Sequence, residues 1–232
     1  MSDVEAKEPE PRAEPRVEPR ARLTRDRVLR AAMDLADDGG IEALTMRRLA
    51  QALGVEAMSL YHHAVNKDDI LAGIVDLVVR EIELPAPDGD WKAAIRASAI
   101  SAHRVLRRHP WACNLLMSAP RLLPGRLRHI DSLLGRLGEA GLPADLTDLA
   151  YHALDSHVLG FTLWEAGYTS AFRGPPPDFA TTFLRDLPRE DYPHLADHVA
   201  YHLRPPSANR KGEFEFVLDL ILDGLERARD AG

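Results

Sequence analysis

With 232 residues, 45% of them hydrophobic and 28% charged, the chain has an ordinary folded composition rather than a disordered or membrane-embedded one. No apolar run approaches the roughly 18 residues of a bilayer crossing, the acidic, proline-rich start is unlike a secretory signal, and a single cysteine, Cys113, excludes an internal disulfide and fits a reducing cytoplasm. The formal charge of −7 argues against bulk attraction to nucleic acid, yet between Arg20 and Lys67 eight Lys or Arg stand against six Asp or Glu.

Residues 1–21 repeat a Pro-Arg-x-Glu-like pattern with almost nothing apolar, the composition of a solvated, disordered tail. Arg16, Arg20 and Arg22 are alternatively placed to brush a minor groove. A first helix follows, with Val28, Leu29, Ala32, Leu35 and Ala36 on one side and Gly39-Gly40 as its stop. The next, Met46 to Leu53, carries Leu49, Ala50 and Leu53 on one face, and Gly54 stands where the chain must turn sharply. Glu56 to His63 is too short for a stable helix alone but long enough to lie in a major groove. That is a helix-turn-helix layout. Asn66-Lys67 opens a fourth helix, Asp68 to Glu83, with Asp68 and Asp69 suited to its positive first turn. Pro85 to Gly89 then breaks the chain.

Beyond the break the helical patterns run Trp91–Arg108, Pro110–Met117, Gly125–Ala140 and Ala144–Gly167. Phe172–Pro177 reads as a loop, followed by Phe179–Leu187, Tyr192–Leu203 and a last helix over Glu213–Arg229. The expected fold is all-α. Residues 1–21 form a tail, 22–84 a helix-turn-helix DNA-binding domain, and 85–232 a helical regulatory and dimerisation domain.

The run LTMRRLAQALGVEAMSLYHHAVNK (Leu44 to Lys67), with TRDRVLRAAMDLADDGG (Thr24 to Gly40) before it, closely resembles the DNA-binding domain of the tetracycline-repressor (TetR) family. More loosely, RRHPWACNLLMSAP (Arg107 to Pro120) and FEFVLDLILDGLE (Phe214 to Glu226) are similar to the regulatory domain of the family's tetracycline-repressor branch. The resemblance covers about residues 24 to 229. It implies a dimeric, one-component transcriptional regulator, a repressor that a small effector releases from a palindromic operator.

A reading helix needs side chains that donate, accept or fill space at base edges, and neighbours that grip phosphate. Arg47 can reach guanine O6 and N7 bidentately, and the matching arginine of the family contacts a base. Ala57, Met58 and Ser59 lie at the end of the reading helix that enters deepest. Met58 suits thymine methyls, and Ser59 a base or a phosphate. Tyr61 suits the DNA backbone or a thymine, and Thr45 and Lys67 suit phosphates. His62, where the family often has an aromatic residue, is a phosphate donor, whereas Leu60 belongs to the core and His63 is open. Ala57 and Met58 replace the glutamine and proline of the tetracycline repressor, which implies a different operator.

For the second half, the resemblance implies a four-helix dimer bundle from Ala144–Gly167 and Glu213–Arg229, with Leu149, His152, Phe216, Leu220 and Gly224 as candidates. By family position and residue type, the effector pocket is expected at Ser98, His103, Trp111, Asn114, Leu115, Ser118, Leu133, Leu137, Asp155, Leu159 and Trp164. Leu115 and Leu133 stand where the antibiotic repressor has histidine and glutamine, which implies a greasier effector bound without metal. The resemblance also implies that the His109–Met117 helix passes movement to the Asp68–Glu83 helix. A DNA-binding protein whose helical half binds a protein partner, with no small-molecule sensor, is the alternative. His194, His198 and His202 form one ridge, but span about 12 Å of helix, too far for one ion. No cofactor is expected. With no phosphate-cradling glycine loop, nucleophile elbow or paired-cysteine metal site, neither is an enzyme.

Overall fold

The computed structural model describes residues 22–118, 123–171, 183–202 and 212–232. The tail, the Phe172–Pro177 loop and residues 179–182 of the Phe179–Leu187 segment lie outside these. Among the described residues there are helices and turns and no strand.

Helix α1 (Arg25–Gly39) is capped by Thr24, whose side chain accepts from the Arg27 amide, and it buries Val28, Leu29, Ala32 and Ala36. A short 3₁₀ turn, Ile41–Ala43, leads to α2 (Met46–Leu53), capped in the same way by Thr45 and closed by Gly54 at φ 67°. That left-handed backbone is open to glycine without steric cost, and it sets the angle of the reading helix. Helix α3 spans only Ala57–Leu60, shorter than the Glu56–His63 expected. Amides of Ser59, Tyr61 and His63 each bond the carbonyl three residues back, so the segment is wound partly as tight turns.

Helix α4 (Lys67–Arg80) begins at the Asn66 cap but ends three residues short of Glu83. The cause lies in the next helix, α5 (Trp91–Arg108): Ser98 donates to the Glu83 carbonyl and Ser101 accepts from the Glu83 amide. Pro110 sits in the turn before α6 (Trp111–Ser118) rather than inside it. Pro124 takes the first position of α7 (Pro124–Glu139), one residue earlier than expected. Helix α8 (Ala144–Ala171) runs four residues past Gly167. A helical turn at 183–186, α9 (Pro193–His202) and α10 (Glu213–Ala231) complete the described chain.

Helix α5 lies against α7, α8 and α10, while α4 packs on α1, α5, α6 and α7. One continuous buried cluster runs from Val28 in α1 through Ile74 and Leu106 to Leu222 in α10. The reader therefore has no separate core that could move without disturbing the rest. No helix among the described residues is long and apolar enough to cross a membrane.

Candidate nucleic-acid interface and the cavity behind it

In the reader, Leu44, Leu49 and Leu60 are fully buried and hold α2 and α3 together. That packing turns the opposite sides outward. Thr45, Arg47, Ala57, Met58, Tyr61 and His62 are exposed, while Ser59 and Lys67 are half-buried. Met58 is 72% exposed and Val65 79%. Arg25 braces this surface from behind. Its guanidinium donates to the His63 carbonyl at 2.6 Å and to both Asp69 oxygens at 2.9 and 3.0 Å. Asp69 in turn accepts from the Val65 amide.

Behind α4 a narrow cavity opens between α5, α7 and α8, in which the centre of a water molecule can roam through about 50 Å³. Its walls are mainly aliphatic, among them Ile95, Leu106, Leu116, Leu133, Leu154, Val158 and Leu159. Val79 and Ile82 reach it from α4 and the residues just after that helix, so the element carrying the reader is also a wall of the cavity.

Polar groups gather on the α7–α8 side. Arg126 pairs with Asp155 at 3.3 Å and interacts with the Tyr151 hydroxyl. Burial, then the Asp155 charge, raises the tyrosine above its ordinary range. Burial also lowers the His129 imidazole, against the pull of Asp155, so the ring is held neutral. Its Nδ1 is sealed from solvent with no hydrogen-bond partner.

Two carboxylates tie the halves together. Asp37 of α1 accepts from Trp111 Nε1 at 2.7 Å and from His109 Nδ1 at 2.8 Å. Asp76 of α4 accepts from the Gly125 amide at 2.7 Å, capping the first turn of α7.

Comparison with known proteins decides what this arrangement belongs to. Residues 28–74 match the family described as bacterial regulatory proteins, tetR family, and residues 84–229 match the tetracyclin repressor-like C-terminal domain. The chain belongs to the TetR family. The HTH-type transcriptional repressor DrrR1 of Streptomyces coeruleorubidus is 34% identical over 216 residues, 88% of this chain and 77% of the relative. Among solved structures, the TetR family protein ActR of Streptomyces coelicolor in complex with actinorhodin is 28% identical, with a TM-score of 0.73 over 90% of this chain and 99% of that one. BioQ, solved with its natural double-stranded DNA operator, is 25% identical, with a TM-score of 0.60 over 88% of this chain and 98% of that one. TetR-family proteins are DNA-binding transcriptional regulators, not enzymes.

Within the TetR frame, the sequence-expected pocket residues divide. Ser98, Leu133, Asp155 and Leu159 line the cavity. Seven others do not. Trp111 turns its indole nitrogen to Asp37, and Leu137 is sealed in the core. Leu115 packs against the core from its edge, and Asn114 and Ser118 are exposed on α6, the Ser118 hydroxyl bonding the Asn114 carbonyl. His103 stacks on Phe214 with ring centroids 3.9 Å apart. Trp164 is 55% exposed on the outer face of α8.

Arg126, His129 and Tyr151 went unrecognised in the sequence. Arg126, His129, Ile130 and Leu133 nevertheless recur at i, i+3, i+4 and i+7, one face of α7. Arg25 was missed too, because its partners are distant in the chain. His194 and His198 are exposed on α9, and the side chain of His202 lies outside the described residues. Among the described residues no group of three His, Cys, Asp or Glu could hold a metal ion.

Proposed function

We propose that the protein is a dimeric repressor that a small, largely apolar effector releases from a palindromic operator. The carrying observation is that Val79 and Ile82 wall the cavity while α4, which carries Val79, begins beside the reading helix. A ligand wider than the narrow space must push its walls apart, because packed interiors do not compress. Moving α4 shifts the reader, and the two recognition helices then no longer match successive major grooves. The ligand complex of ActR supports a small-molecule effector in this fold, and the operator complex of BioQ supports a duplex partner.

In this reading residues 22–84 are the DNA-binding unit and 85–232 the regulatory one. Arg47, Ala57, Met58 and Ser59 meet base edges, and Thr45, Tyr61, His62 and Lys67 meet the backbone. Ser98, Arg126, His129, Leu133, Asp155 and Leu159 meet the effector. The second copy covers the outer faces of α8 and α10. There Leu149, His152, Gly160 and Trp164 recur at helical spacing beside Phe216, Val217 and Leu220, and all seven are exposed. Operator binding places the protein with the chromosome, in the cytoplasm.

Footprinting on the DNA around its own gene, repeated with a panel of metabolites, tests the reading. A symmetric footprint that a metabolite erases is expected. A footprint indifferent to every metabolite would favour a helical half that binds a protein partner.

A further inference from the structure

Two backbone groups in the turn between the reading helix and α4 are held by side chains from elsewhere. The His63 carbonyl accepts from Arg25 Nη1 at 2.6 Å, and the Val65 amide donates to Asp69 Oδ2 at 3.2 Å. The two side chains also hold each other, Nη1 reaching the same Oδ2 at 3.0 Å and Nη2 reaching Oδ1 at 2.9 Å. Arg25 opens α1 and Asp69 lies in the first turn of α4, 44 residues on. Asn66 completes the set by accepting from the Asp69 amide at 2.9 Å. The turn is thus gripped at His63, Val65 and Asn66, with buried Ala64 plugging its middle into the core.

Tyr61 and His62 enter this turn and Lys67 leaves it, so it sets where the side chains assigned to the DNA backbone stand. The pair is wet, with Arg25 47% and Asp69 30% exposed, and an ion pair so placed adds little to folding. A planar guanidinium can hold a carbonyl and both oxygens of a carboxylate together, which a lysine ammonium, a single point of charge, does not do. Both terminal nitrogens of Arg25 are engaged in this way.

We propose that Arg25 and Asp69 form a positioning clamp for operator recognition. The clamp touches no DNA; it fixes the turn so that Tyr61, His62 and Lys67 meet the phosphates in a set register. Without it the turn is ordered only at the moment of binding, and that ordering weakens the complex. This rests on the reader surface being the face that contacts DNA, and on no property of an effector.

The test uses the intact protein and a duplex that the wild type selects from a random pool, with affinity read by fluorescence anisotropy at several salt concentrations. Arg25→Ala and Asp69→Ala are each expected to bind about tenfold more weakly, with thermal midpoints near that of the wild type. The double variant should be no weaker than the weaker single one, because the two side chains act as a unit. For Asp69 the direction decides. Removing a negative charge beside DNA tightens binding if charge alone matters, whereas losing the clamp weakens it. Arg25→Lys keeps the charge without the fork and should stay weak. The salt slope of Arg25→Ala should match the wild type, and would fall by about one if Arg25 gripped a phosphate itself. Unchanged or tighter binding by Asp69→Ala, a shallower slope in Arg25→Ala, full recovery in Arg25→Lys or additive losses in the double variant would each overturn the clamp. Unfolding of either alanine variant at the assay temperature would also overturn it, since the pair would then hold the fold. Arg47→Ala is measured alongside. If it too binds like the wild type, the reader surface is wrongly assigned and the clamp falls with it; if it alone weakens binding, only the clamp falls.

Discussion

Trp111 donates its indole N–H to Asp37 across 2.7 Å, joining the first turn of α6 to the last turn of the first reader helix. The same carboxylate oxygen holds His109 Nδ1 at 2.8 Å. An ionised carboxylate only accepts, so His109 carries its proton on Nδ1. Both donors are buried, and removing their acceptor strands two N–H groups. Asp37→Ala is expected to cost about 1–3 kcal/mol of stability per stranded group at the upper limit, read by chemical denaturation. It is also expected to blunt effector-induced operator release more than operator affinity itself. A variant with wild-type stability and wild-type release would remove this contact from the coupling.

Arg47→Ala and Tyr61→Ala touch exposed side chains, so unfolding should stay within about 0.5 kcal/mol of wild type. Operator affinity should fall by about 1–3 kcal/mol for each, roughly 5- to 150-fold, measured by gel shift at fixed salt. Leu60→Ala is the contrasting case. It removes a fully buried side chain beneath the reading helix and should lose both stability and binding.

Gly125 lies where α7 packs against α4. A Cβ there would stand 2.9 Å from Asp76 Oδ1 and 3.2 Å from the Asp76 carbonyl, and the second contact is backbone that cannot swing aside. Gly125→Ala must push the two helices apart, at about 1–3 kcal/mol. Since α7 carries Arg126 and His129 on the cavity face, the same change should weaken effector binding. Calorimetric titration of the variant checks it.

How far the sequence revealed all this depended on the range of each interaction. Thr24, Thr45 and Asn66 act within three residues, and their caps and the Gly54 turn were readable as local chemistry. The reading helix was overextended because its last turns are wound by i to i+3 bonds that leave no mark in residue type. Helix α4 was overextended because its stop comes from Ser98 and Ser101, fifteen and eighteen residues beyond Glu83. The cavity was half legible. Trp111 and Trp164 are large and aromatic, as pocket residues often are, yet one serves a carboxylate 74 residues away and the other faces outward. The resemblance pointed to α6 as the route to the reader, whereas Val79 and Ile82 give the cavity a direct wall on the α4 side.

The outward faces of α8 and α10 carry the prediction for assembly. Leu220 is 53% exposed and Trp164 55%, values that suit side chains awaiting a partner surface. Leu220→Glu places a charge twice at a two-fold interface, once from each copy. Sedimentation should shift from dimer to monomer. Operator affinity should drop about 100-fold, because the second half-site is no longer held at high effective concentration. A monomeric wild type would refute the assembly.

His103 makes the fold sensitive to acid. It is buried between Phe214 and Thr162, with Nδ1 3.0 Å from the threonine hydroxyl. That hydroxyl already donates to the Val158 carbonyl, so it accepts here, and Nδ1 bears the ring's proton. Burial, then the positive charge of Arg107, brings the imidazole from 6.5 down to about 4. Glu165 lies 3.3 Å from Nε2, and burial raises that carboxyl above its ordinary range. The folded state thus resists a proton that the unfolded chain accepts near pH 6.5. Stability from this group is complete above pH 6.5 and is lost as pH falls towards 4, by about 3 kcal/mol at most. His103→Phe keeps the stack on Phe214 but loses the Thr162 bond, so it should be about 1 kcal/mol less stable at pH 7. Between pH 6.5 and 4 its unfolding midpoint should fall less steeply than that of the wild type. Parallel slopes would place the acid sensitivity elsewhere.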